Sequence, residues 1–351
     1  MRSFKVLFAV LIFLTTASLQ ASYTIKGGKL VNKKEMATMS VQEHYGAAVD
    51  SYDKKDWEEL IHQCTVINKN FSNTPFALEC AFYLGVAYYH LEDFELANIN
   101  FSKYLKKQTT PKHFEEAIQY KFEIAERFHG GAKRHLMGWQ NMPKWMPAKD
   151  DALEIYDEVI TALPHHDLAA QALFGKAKLQ LLEEDYRASV ETYQTLIRRF
   201  PKHPLATDSY LGIGEVYLTQ CKAEYPDRDF LDLAEINLRK FQQNFPGEER
   251  VKRAEEMLLT MQEVYAKNLY ETGHFFERTH KLNAAYIYYS KIINDYPNTK
   301  TAVLCQTKAT SLRRELEKME KKAAAKKAAM TNREQQITQN QNKLPEGSEP
   351  P

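Results

Sequence analysis

The residues able to do chemistry fall into four groups in this chain, and none has the company that chemistry needs. His165 and His166 are adjacent and followed by Asp167, but they stand directly after Pro164 and lack further ligands at helical spacing, as in H-E-x-x-H, so a metal site is unsupported. Glu183, Glu184 and Asp185 bring three carboxylates together, yet in a polar turn, where nothing desolvates one of them for general acid or base work. Cys64, Cys80, Cys221 and Cys305 are scattered without C-x-x-C spacing, which argues against zinc and redox motifs. Small buried side chains and a bridge between Cys64 and Cys80 both remain open readings. Gly212 and Gly214 come close to a dinucleotide-binding pattern but lie inside a helical stretch, where glycine serves packing. The sequence thus predicts no catalytic, cofactor or metal site, and the question passes to what its elements present to a partner.

Those elements repeat. A small or apolar residue is followed by a large one four later, another three later, and a proline five after that. The copies are Ala152, Tyr156, Val159, Pro164; Ser189, Tyr193, Leu196, Pro201; Ala234, Leu238, Phe241, Pro246; and Ala285, Tyr289, Ile292, Pro297. Spacings of four and three put the three side chains on one helix face, and proline stops the helix because it cannot donate the next backbone hydrogen bond. Each copy therefore reads as the second helix of a hairpin. The first helix shows upstream as glycine with an aromatic three residues later: Gly85 and Tyr88, Gly214 and Tyr217, Gly273 and Phe276. Such hairpins cannot bury their faces alone, so stacked copies must share a core.

Composition agrees. The 20 Tyr and 18 Phe beside 13 Gly and 13 Pro favour aromatic-packed helices over a turn-rich β protein, and 47 basic against 46 acidic residues leave no electrostatic footprint for nucleic acid. At the start, Arg2 and Lys5 precede the uncharged apolar run Val6 to Ala17, with a cleavage site expected after Ala21. This reads as an export signal, removed or retained as an anchor, and no later segment is apolar enough to span a membrane.

Leu84-Gly85, Tyr88, Phe94, Ala97, Phe101 and Tyr104 resemble the tetratricopeptide repeat (TPR) pattern, as do the four proline-ended helices. The resemblance covers roughly residues 41 to 300. It implies an all-α fold, a right-handed superhelix of about six TPR helix hairpins. A narrower resemblance is to the BamD family of outer-membrane assembly lipoproteins, carried by second helices closing on Phe200-Pro201, Phe245-Pro246 and Tyr296-Pro297 and by Leu282-Asn283-Ala284-Ala285-Tyr286-Ile287-Tyr288-Tyr289 after a long helix from Glu255. Members carry a lipobox cysteine, whereas residues 15–30 hold none. Peripheral attachment through a partner is the expectation.

The domain reading is a signal peptide at 1–21, an N-terminal linker at 22–40, the TPR superhelix at 41–311, a charged capping helix at 312–330 and a disordered tail at 331–351, too polar to fold. In a TPR superhelix the first helices line the concave groove. Tyr45, Val49, Tyr52, Phe82, Val86 and Tyr89 are the early candidates and Leu211, Glu215 and Leu218 the later ones, aromatics with modest polarity that suit an extended peptide. The insertion from Gly130 to Ala148 carries Trp139, Met142 and Trp145 among basic residues, and either plugs its own solenoid or touches a partner. The BamD resemblance implies protein partners, unfolded outer-membrane proteins and the barrel subunit of the assembly machine. A periplasmic TPR adaptor for cell division or envelope and peptidoglycan coordination is the alternative.

Overall fold

The computed structural model describes residues 23–26, 29–32, 35–107, 110–136, 142–223 and 228–341. Thirteen helices lie among them, twelve in six successive pairs and one long helix at the end. In unit 1, residues 1–179, these are α1 (Val41–Asp53), α2 (Trp57–Asn70), α3 (Pro75–His90), α4 (Phe94–Lys107), α5 (Phe114–His129), α6 (Lys149–Ala162) and most of α7 (Asp167–Leu182). Unit 2, residues 180–351, holds the end of α7, then α8 (Tyr186–Arg199), α9 (Pro204–Ala223), α10 (Arg228–Asn244), α11 (Val251–Arg278), α12 (Leu282–Asp295) and α13 (Lys300–Gln341). This is the all-α TPR fold that the repeat implies.

The prolines act as the pattern requires. Helices α6, α8, α10 and α12 stop two residues short of Pro164, Pro201, Pro246 and Pro297. The residue between helix and proline closes all four by donating its N–H four residues back: Leu163 to Val159, Phe200 to Leu196, Phe245 to Phe241 and Tyr296 to Ile292. The repeated apolar positions are core, with Ala152, Tyr156, Val159, Leu196, Phe241, Ala285, Tyr289 and Ile292 all fully buried. Each large side chain so removed from water is worth about 1.5–3 kcal/mol.

The turn inside a pair is also regular. Lys55, Glu92, Glu184 and His280 take positive φ of 57°, 57°, 62° and 56°, each two residues before the second helix begins. Asp56 and Asp185 then cap α2 and α8 by accepting the N–H of Glu59 and Ala188. Helices approach most closely where a first helix carries glycine. A Cβ on Gly85 would sit 2.6 Å from the Phe101 ring, and one on Gly212 would sit 2.5 Å from Tyr193. The close crossing in α9 therefore falls on Gly212 rather than Gly214, where the nearest atom is Met257 Sδ at 3.4 Å.

Three features depart from the sequence reading. Strands β1 (Tyr23–Lys26) and β2 (Lys29–Asn32) form an antiparallel hairpin within the expected linker. Within the insertion, β3 (Lys133–His135) and β4 (Lys144–Pro147) form a second one, pairing Lys133 with Pro147 and Arg134 with Met146. At the other end no boundary separates repeat, cap and tail up to residue 341, because α13 is continuous. Between 300 and 341 it contains neither Gly nor Pro and is rich in Ala, Lys, Glu and Gln, the strong helix formers. Ala302, Cys305, Ala309 and Leu312 bury one face of its start, and from Glu317 through Glu334 its residues are exposed. The signal segment and the last ten residues lie outside the described residues.

Candidate polypeptide-binding face

Within unit 1 the first helices α1, α3 and α5 neighbour one another, and tyrosines from all three meet. On α1, Tyr45, Val49 and Tyr52 recur at four and three residues and are half-buried. From α3, the Tyr83 ring lies 6.3 Å from Tyr45 and 5.1 Å from Tyr52, and the Tyr89 ring lies 5.0 Å from Tyr120 of α5. Tyr120 in turn stacks on Phe101 at 5.2 Å and 10°, which anchors it to the core.

Carboxylates edge this strip. Tyr89 Oη donates to Glu123 Oε2 at 2.7 Å, and Gln119 donates to the other oxygen of Glu123 at 3.1 Å. Burial raises the pKa of Tyr52, and the carboxylate of Glu116 on α5 raises it further. Tyr120 is pushed up to about 12 by burial, with Tyr52, Glu116 and Glu123 adding to it. All these phenols stay neutral near pH 7, so each can donate a hydrogen bond while its ring offers apolar area. That combination suits an extended polypeptide, whose backbone needs polar partners and whose side chains need apolar ones.

Not every expected groove residue is there. Phe82 and Val86 are 1% exposed. Phe82 stacks on His113 at 4.4 Å and 10° and meets Phe101 and Tyr104 at 5.9 and 5.5 Å, so it belongs to the core between helices. Leu211 in α9 is buried as well, whereas Glu215 is exposed and Leu218 half-buried. In compensation Glu116, Tyr120 and Glu123 join the face, with Tyr83 buried beneath it. Tyr120 and Glu116 stand four apart on α5, so helical spacing along that segment could have found them.

The insertion presents its own surface. His135 is buried, with Nδ1 3.2 Å from Glu95 Oε2, and its N–H donates to the same oxygen at 2.9 Å. Lys144 Nζ donates to the Glu92 carbonyl at 2.8 Å. The hairpin base is thus held on the start of α4, while Trp145 stands 68% exposed on β4. Met142 is half-buried, and Trp139 lies outside the described residues. Trp145 therefore does not plug the repeat. His166 Nδ1 accepts the N–H of Leu168 at 3.1 Å, a turn-closing role for one of the paired histidines.

Comparison with known proteins adds a family. A family model described as YfiO, outer membrane lipoprotein, matches residues 148–330. No curated protein matches the chain. Among solved structures it is similar to MamA (41-end) from Desulfovibrio magneticus RS-1, with 16% identity and TM-score 0.33 over 60% of this chain and 97% of that one. It is also similar to YrrB, described as a TPR protein with an unusual peptide-binding site, with 13% identity and TM-score 0.34 over 64% and 94%. A tetratricopeptide repeat protein from Parabacteroides merdae gives 13% identity and TM-score 0.33 over 78% and 98%.

Proposed function

The chain belongs to the YfiO family of outer membrane lipoproteins, and on that premise we propose that it is a non-enzymatic TPR scaffold of the machinery that assembles β-barrel proteins into the outer membrane. In this reading the tyrosine face of unit 1 receives unfolded outer-membrane polypeptide segments, and unit 2 docks on the barrel subunit. The protein is periplasmic and peripheral to the outer membrane, and no helix among its described residues is long and apolar enough to cross a membrane. Trp145, raised on its clipped hairpin, supplies a further protein contact.

The observation that supports this reading most is the run of tyrosine contacts through three successive first helices, Tyr52 of α1 on Tyr83 of α3 and Tyr89 of α3 on Tyr120 of α5, with Glu123 bonded to Tyr89. Titrating a labelled, unfolded β-strand peptide of alternating aromatic and polar residues tests it. Tyr52→Ala combined with Tyr89→Ala weakens capture by roughly 30-fold or more, since an interface hot spot carries about 2 kcal/mol or above. Both residues are half-buried and pack on neighbouring rings, so circular dichroism verifies that the double variant keeps its helices. Capture at wild-type strength by the double variant removes the site.

A further inference from the structure

On the side of unit 2 formed by second helices, a cavity of about 560 Å3 opens between α8, α9 and α10. Its floor is Tyr210, Ile213 and Tyr217, spaced three and four apart along one face of α9, and Ile197 and Ile236 line opposite walls. Ile236 and Leu233 of α10 are 44% and 43% exposed beside this apolar floor. Lining residues run along α10 from Leu233 to Asn244, about 16 Å of helix. Size and lining are those of a preformed small-molecule site, mostly apolar with a few polar groups.

The polar groups select the ligand. Two cations, Arg198 and Lys240, line the cavity, and no Asp or Glu does among the described residues. Arg198 stands in the last turn of α8 and Lys240 four residues before the end of α10. Since α8 and α10 both run opposite to α9, the two cations lie at the same end, with Tyr210. Two of the three lining amides already have partners: Asn237 Nδ2 donates to the Tyr210 carbonyl at 2.9 Å and Asn244 Nδ2 to Tyr210 Oη at 2.7 Å, leaving Gln194. An extended peptide laid here would bury carbonyl groups with few donors to meet them, at a cost of about 1–3 kcal/mol each. An acyl chain carries no such groups, and an anionic head would complete the cationic end.

We propose that this cavity binds a single acyl chain ending in a carboxylate, with the chain along α10 over Ile213 and the carboxylate on Arg198 and Lys240. It is a ligand site separate from the tyrosine face and independent of the role given to that face. Dodecanoate is the probe, titrated by calorimetry into the mature chain. The expected result is saturable one-to-one binding, weakened about tenfold or more when Arg198→Glu and Lys240→Glu are combined and when uncharged dodecanol replaces dodecanoate. Both replaced residues are exposed, and circular dichroism verifies that the variant keeps its helices. A second variant, Ile236→Gln, weakens dodecanoate and dodecanol alike. Absence of saturable binding, equal dodecanoate affinity in the charge-reversed chain, or dodecanol binding as tightly as dodecanoate overturns the proposal. So does capture by phosphatidylglycerol vesicles, or by an acidic helical peptide, in the absence of dodecanoate binding.

Discussion

Units 1 and 2 each leave a gap between successive second helices, and the two gaps differ in their carboxylates. In unit 1 the gap between α4, α5 and α6 encloses about 410 Å3, with Phe114, Ile118 and Lys121 of α5 as floor and Lys106, Glu154, Asp157 and Glu158 on the rim. In unit 2 the floor is Tyr210, Ile213 and Tyr217 and the rim carries Arg198 and Lys240. The difference on the floors is a charge, Lys121 in unit 1. Lys121 is 1% exposed, and its Nζ reaches Asn98 Oδ1 and Ser102 Oγ at 2.6 Å each and Glu158 Oε2 at 2.5 Å. A buried ammonium demands acceptors and an anion beside it, whereas a tyrosine demands neither. A buried lysine on the floor thus calls for a carboxylate beside it, and a floor without one leaves its rim free of that demand.

The sharpest way to break this contrast is to exchange the floors. Tyr217→Lys places an ammonium in a gap without carboxylates and removes a buried ring, and should cost ~4 kcal/mol in urea unfolding. If Tyr217→Lys is tolerated, the floor does not dictate the rim. The reciprocal change is milder. Lys121→Ala leaves Asn98, Ser102 and Glu158 without their donor and should cost about 3 kcal/mol, the low end for a broken buried pair because Glu158 is one-third exposed. Lys121→Met, which fills the space without a charge, should cost less than half of that. Equal losses for Ala and Met would mean that volume, not charge, governs the site.

A smaller effect separates unit 2 by pH. Burial acts to raise the pKa of Glu277, but hydrogen bonds from Lys308 Nζ and Tyr289 Oη, both at 2.7 Å, outweigh it and hold the carboxyl below its ordinary 4.5. A carboxyl with a depressed folded pKa stabilises the fold above its unfolded pKa and loses that contribution as pH falls through the folded value. The stability difference between wild type and Glu277→Gln should be constant from pH 7 to about 5 and shrink below about 4.5. A difference that grows on acidification would reverse the assignment.

Much of the fold was legible because its signals are local. Proline-ended helices and buried tyrosines such as Tyr156 and Tyr193 follow from spacing over a dozen residues. The binding face was legible in part. Tyr45, Tyr52 and Tyr89 were recoverable, but Phe82 and Val86 were not distinguishable from them, because Cys80 through Ala87 are buried all round α3 and periodicity cannot select a stripe on such a helix. Phe82 also stands three residues before Gly85, on the face that meets α4. The β3–β4 hairpin escaped because its partner contacts, His135 with Glu95 and Lys144 with the Glu92 carbonyl, span 40 and 52 residues. The length of α13 escaped because polarity without Gly or Pro is compatible with an exposed helix as well as with a tail.

The account depends most on the claim that first helices of unit 1 hold the polypeptide. A photo-crosslinking phenylalanine analogue at Tyr52, on α1, and another at Ile99, 54% exposed on second helix α4, tests it in intact cells. Adducts with unfolded outer-membrane proteins from position 52, and few from position 99, are the predicted result. Equal yields from both positions, or adducts from position 99 alone, would contradict it.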